Sequence, residues 1–99
     1  MGLDMIITFT SGEKKHLVIS ELLHSKIFDP SNTLGSYKEI RKIRDYYKTN
    51  VTFHSSSAHT FIAELTDICN KIPDLKNETD NIIKQLQFID VKSIRICGD

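Results

Sequence analysis

The chain has no tryptophan, two cysteines, two prolines and four glycines in 99 residues, and it has no excess of either charge: thirteen basic residues balance thirteen acidic ones. Each shortage narrows the field. Net neutrality argues against a dedicated nucleic-acid binder, which normally draws affinity from a basic excess that releases counterions. It argues equally against a polybasic membrane anchor. No apolar run approaches the roughly 18 residues of a membrane span. The opening Met1-Gly2-Leu3-Asp4-Met5-Ile6-Ile7 has neither the cationic start nor the long apolar stretch of a signal peptide. Ile6 stands where a myristoylation motif wants Ser or Thr. The glycines at 2, 12, 35 and 98 are scattered, so no phosphate-cradling loop is present. Cys69 and Cys97 are far apart and lack export context, which implies reduced thiols in a cytosol.

What is present is enough for one folded domain. A length of 99 residues can bury a core without disulfides or metal, with modest stability. Met5-Ile6-Ile7-Thr8-Phe9-Thr10 and Lys15-His16-Leu17-Val18-Ile19 are β-rich runs across Ser11-Gly12-Glu13-Lys14, a hairpin pattern. Ser20 can cap a short helix to about Phe28 with Leu22, Leu23 and Ile27 as its stripe. Ser36-Tyr37-Lys38-Glu39 reads as a capping box opening a helix to about Lys48, with Tyr37, Ile40, Ile43 and Tyr47 on one face.

Val51-Thr52-Phe53 reads as a short strand or an extended connection, and Ser55, Ser56 and Ser57 offer caps for the next helix. Phe61, Ile62, Leu65, Ile68, Cys69 and Ile72 form the best amphipathic stripe, which Pro73 ends. A last helix starts between Asp74 and Thr79, carrying Ile82, Ile83, Leu86 and Ile89, before a strand at 91–97. The expectation is a single α+β domain over 1–99: a small antiparallel or mixed sheet, made from the N-terminal hairpin and the C-terminal strand, packed against three to four helices.

Chemical constellations are weak. His54 and His59 are five residues apart, about 500° of helical rotation, so they do not share a face as zinc-binding pairs do. Cys69 lies on the apolar stripe, where a thiol is inert core. No metal, cofactor or catalytic residue is therefore expected, and the chain reads as no enzyme. Charge is better organised. Lys38, Arg41, Lys42, Arg44 and Lys48 outweigh Glu39 and Asp45 on the segment 36–48, with Tyr46 as the tyrosine off its apolar face. Glu64, Asp67, Asp74, Glu78 and Asp80 outweigh Lys71 and Lys76 on 64–80. Such patches are either solvated helix faces or steering surfaces for a charged partner.

In size and character the whole chain resembles the small immunity proteins of bacterial toxin systems, including contact-dependent inhibition, although no motif carries the resemblance. Small phage-encoded inhibitors share the profile. The resemblance implies a cytoplasmic, non-catalytic, protein-binding inhibitor that caps a toxin nuclease. Glu64, Asp67, Asp74, Glu78 and Asp80 would then be the partner-binding acids, mimicking phosphates. The alternative is a regulatory or nucleic-acid-binding module using Lys38, Arg41, Arg44 and Tyr46. A second alternative is a small enzyme built on His54, His59 or a cysteine.

Overall fold

A computed structural model describes residues 2–30, 35, 37–86 and 90–98. Their elements follow the order β1 (Gly2–Phe9), β2 (Lys14–Ser20), α1 (Glu21–Ile27), a 3-10 turn (Ile40–Ile43), β3 (Asn50–His54), α2 (Ser55–Cys69), a second 3-10 turn (Pro73–Leu75), α3 (Lys76–Leu86) and β4 (Val91–Cys97). The fold is α+β. The described strands form one antiparallel sheet in the order β2-β1-β4-β3. The Val51-Thr52-Phe53 run is thus an edge strand, and β4 is central, lying between β1 and β3.

Side-chain alternation decides which face of the sheet is covered. Leu3, Met5, Ile7 and Phe9 of β1, Ile94 and Ile96 of β4, Phe53 of β3 and Ile19 of β2 belong to one buried cluster. Leu23 and Ile27 of α1, Phe61, Leu65 and Ile68 of α2, and Ile82 and Leu86 of α3 complete it. The period-two strand pattern and the helical stripes therefore meet in one layer. Phe53 and Phe61 stack at 4.6 Å between ring centroids, pinning α2 to the β3 edge.

The hairpin, the Ser20 cap and the α2 stripe follow the sequence pattern. Ser20 accepts the Leu23 amide at 3.1 Å. On α1 the inward residues are Leu23, His24 and Ile27, and Leu22 is exposed. His24 is not apolar, yet it is buried because a ring nitrogen meets the Ile43 carbonyl at 2.8 Å and its ring packs against Tyr46 and Phe28. The helix α2 ends at Cys69, four residues before Pro73, and none of the serines caps it: the capping position is His54, and Ser55 adopts φ of 48°.

The expected helix over 36–48 is corrected. Among its described residues only Ile40–Ile43 is helical, and it is a 3-10 turn. Ser36, the proposed cap, and Ile89, a proposed core residue, lie outside the described residues. Two competitors defeat the α-helix. Glu64 captures the amides of Lys38, Glu39 and Ile40 from across the fold. Asp45 turns back on the amides of Tyr47 and Lys48 at 3.0 and 2.9 Å, offering the backbone a tight turn in place of a helical one. Burial then repeats every three residues, at Tyr37, Ile40, Ile43, Tyr46 and Thr49. Tyr46 is consequently core, and Tyr47, expected inside, is 59% exposed.

Candidate protein-docking surfaces

The five acids of the acidic set are engaged to different degrees. Glu64, half-buried on α2, uses both carboxylate oxygens to accept the amides of Lys38 (2.9 Å), Glu39 (2.9 Å) and Ile40 (3.0 Å). Those amides open a 3-10 turn and have no partner within it, so the carboxylate acts as a cap supplied from another element. Glu78 on α3 does the same for α1: it accepts the Ser20 amide at 3.1 Å and the Ser20 hydroxyl at 2.8 Å, while that hydroxyl accepts from Leu23. Both acids therefore tie helices together.

Asp67 accepts the hydroxyl of Tyr37 and pairs with Lys71 at 3.4 Å; Lys71 also donates to the Tyr37 oxygen at 3.1 Å. The Tyr37 bond holds the Asp67 carboxyl below its ordinary value, and the same bond, with burial, raises the phenol. This cluster fastens the 37–49 segment to α2. Asp67, Asp74 and Asp80 are exposed, whereas Glu64 and Glu78 are half-buried; Asp74 reaches Lys26 at 3.4 Å.

The cationic alternative keeps its charges outside. Lys38, Arg41, Lys42, Arg44 and Lys48 are all exposed. Arg41 donates to the Tyr37 carbonyl at 2.8 Å, Lys42 pairs with Glu39 at 3.0 Å, and Arg44 lies 5.9 Å from the Phe28 ring centroid. Tyr46, the tyrosine expected to be available there, is buried, and Tyr47 takes that exposed place.

The groups expected to be inert or dispersed are placed as follows. Among the described residues no three His, Cys, Asp or Glu side chains are grouped to hold a metal ion. His54 and His59 are exposed, and His16 is committed to Asp4 at 3.0 Å. Burial, aided by the charge of Glu78, pushes the Cys69 thiol up to about 11, which suppresses the thiolate. No helix among the described residues is long and apolar enough to cross a membrane.

A surface that sequence reasoning missed is the second face of the sheet. Antiparallel partners point to the same side, so the register aligns three cross-strand rows. One is Val18, Asp4, Cys97 and Asn50; the next is His16, Ile6, Arg95 and Thr52; the third is Lys14, Thr8, Ser93 and His54. None of these twelve residues belongs to the buried cluster. The alternation was visible in β1 and β4, but register across strands is a tertiary fact. No family model, no curated protein and no solved structure matches this chain.

Proposed function

We propose that this chain is a protein-binding inhibitor, of the kind it resembles in size and character: a cytoplasmic immunity protein that binds and neutralises a toxin nuclease. The single observation that carries the reading is the one-sided sheet. One face holds the core; the other presents twelve side chains in fixed cross-strand order, outside the buried cluster. Such a rigid array suits recognition by contact, because the side chains lose little further freedom on docking.

Of the acids expected to steer a basic partner, Asp74 and Asp80 are the exposed ones that accept no backbone amide or buried hydroxyl among the described residues, Asp74 meeting the Lys26 ammonium at 3.4 Å. Glu64, Asp67 and Glu78 hold elements of the fold together. Steering by exposed carboxylates acts on association rate and fades with salt. The test is a pull-down with this chain from its native host, followed by purification of a captured nuclease. A one-to-one complex that abolishes its nuclease activity stoichiometrically is expected, with Asp74→Lys/Asp80→Lys slowing association at low salt. Undiminished nuclease activity with excess folded inhibitor would overturn the reading.

The second reading, a nucleic-acid-binding module, draws on the exposed cations of 38–48 beside exposed Tyr47. Basic side chains with an accessible ring can hold single strands by charge and stacking. Loss of oligonucleotide binding in Arg41→Glu/Arg44→Glu, with the acidic variants unaffected, would favour it.

A further inference from the structure

We propose that the open face of the sheet is a docking surface for an acidic polypeptide segment that places an apolar side chain on Ile6. The inference shares the open face with the inhibitor reading and goes beyond it by naming the chemistry of the occupant. Loss of peptide binding would leave nuclease inhibition untouched, and failure to inhibit a nuclease would leave the peptide titration untouched.

The argument begins with register. Ile6 lies on a central strand, paired with His16 on one side and Arg95 on the other. Asp4 and Thr8 are the next residues of β1 on the same face, and each extends into its own row. A shallow recess is lined by Asp4, Ile6, Lys14, His16, Arg95 and Cys97, together with Lys15. An apolar side chain ringed by polar and charged ones is the pattern of an interface anchor, where the ring excludes water from the centre. Val18, 46% exposed, adds a second apolar contact in the neighbouring row.

Charge selects the occupant. Lys14 and Arg95 are exposed on this face, and exposed Lys92 stands beside them where the β1–β4 register shifts. The one carboxylate in the rows, Asp4, is paired with His16 at 3.0 Å. The exposed histidines His16 and His54 add no negative charge. Surrounding Ile6 there is thus a cationic rim, complementary to carboxylates. Four strands about 4.8 Å apart and three rows about 7 Å apart give an area on the order of 400 Å². That is about half of one side of a standard protein interface, the footprint of a helix or strand. The rows contain no Phe, Tyr or Trp, the large rings on which single-stranded nucleic acid stacks best, which favours a polypeptide as the occupant.

The probe is a synthetic peptide alternating Glu and Leu, titrated into isotope-labelled protein and followed by amide chemical shifts at low salt. Shifts confined to Ile6, His16, Arg95 and their row neighbours are expected. Lys14→Glu/Arg95→Glu should weaken binding by about tenfold or more, and Lys38→Glu/Arg41→Glu should leave it unchanged. Both Lys14 and Arg95 are exposed, so the fold should survive, and circular dichroism checks it; the wild-type shift map decides independently. Absence of binding, shifts centred on 38–48, or an oligothymidylate that binds the sheet face more tightly than the peptide would each overturn the proposal. Concentration-dependent masking of the same amides without peptide would also overturn it, assigning the face to a second copy of the chain.

Discussion

Removing the Glu64 carboxylate should damage the fold, although the residue is only half-buried on a helix surface. Its two oxygens accept the amides of Lys38, Glu39 and Ile40 at 2.9, 2.9 and 3.0 Å. Glu64→Ala leaves those amides without their partner. The Lys38 amide is near solvent and water can replace the carboxylate; the Glu39 and Ile40 amides are partly buried. An unsatisfied buried amide costs about 1–3 kcal/mol, and the loss of a helix cap about 0.5–2 kcal/mol. Partial hydration places the total for Glu64→Ala at about 2–3 kcal/mol.

The substitution Glu64→Gln separates the contributions. One oxygen serves both Glu39 and Ile40, and the amide oxygen of Gln can replace it; only the bond to Lys38 has no acceptor left. A loss of about 1 kcal/mol is expected, the size of one hydrogen bond. Urea unfolding followed by circular dichroism and tyrosine emission measures both variants, since the chain has three tyrosines and no tryptophan. Hydrogen exchange at residues 38–40 should accelerate in Glu64→Ala before global unfolding. Stability of Glu64→Ala within about 0.5 kcal/mol of wild type, the range of ordinary surface changes, would refute the capping argument. So would equal damage from Gln and Ala.

Four further outcomes are expected. Leu65, fully buried, should cost about 2–5 kcal/mol when changed to Ala, read as a shifted urea midpoint. Gly98→Ala should destabilise, because a Cβ there would lie 2.5 Å from the Tyr46 carbonyl oxygen and 2.7 Å from that of Tyr47, and thermal melts will show it. The Asp67 carboxyl is held below its ordinary 3.8, so its stabilising contribution is present above that pH and disappears as pH falls through the lower folded value; the raised Tyr37 phenol contributes below 10.0 and loses that contribution as pH rises past it. Melts of Asp67→Asn across pH should show a shallower acid decline than wild type. A thiol reagent should label half-buried Cys97 in the native protein well before Cys69, whose labelling should await unfolding.

Local pattern and long-range partners divide what was legible in the chain. The hairpin, the Ser20 cap and the Phe61, Leu65 and Ile68 stripe depend on residues a few positions apart, and their spacing reports them directly. The segment 37–49 was misread because its competitor, Glu64, is 24 to 26 positions away. Once Glu64 and Asp45 replace the α-helical bonding, burial at steps of three exchanges Tyr46 for Tyr47. The structural ties of the acidic candidates were hidden for the same reason: Glu78 meets Ser20 at a separation of 58 residues, and no local signal marks that pair. The sheet face escaped notice because it exists only after β1, β2, β3 and β4 are in register.

The central position of β4 has a consequence for how the domain comes into being. During vectorial synthesis β1 and β2 can close their hairpin early, but β3 has no neighbour until residues 91–97 emerge, since β4 is the strand that joins it to β1. The sheet is therefore complete only once β4 supplies a ladder to β1 on one side and to β3 on the other. Until that moment the nascent chain displays an unpaired flank of β1 carrying Met5 and Ile7, a template for stray pairing. A product truncated before Val91 loses the keystone of the sheet, and its two halves have no shared ladder on which to meet.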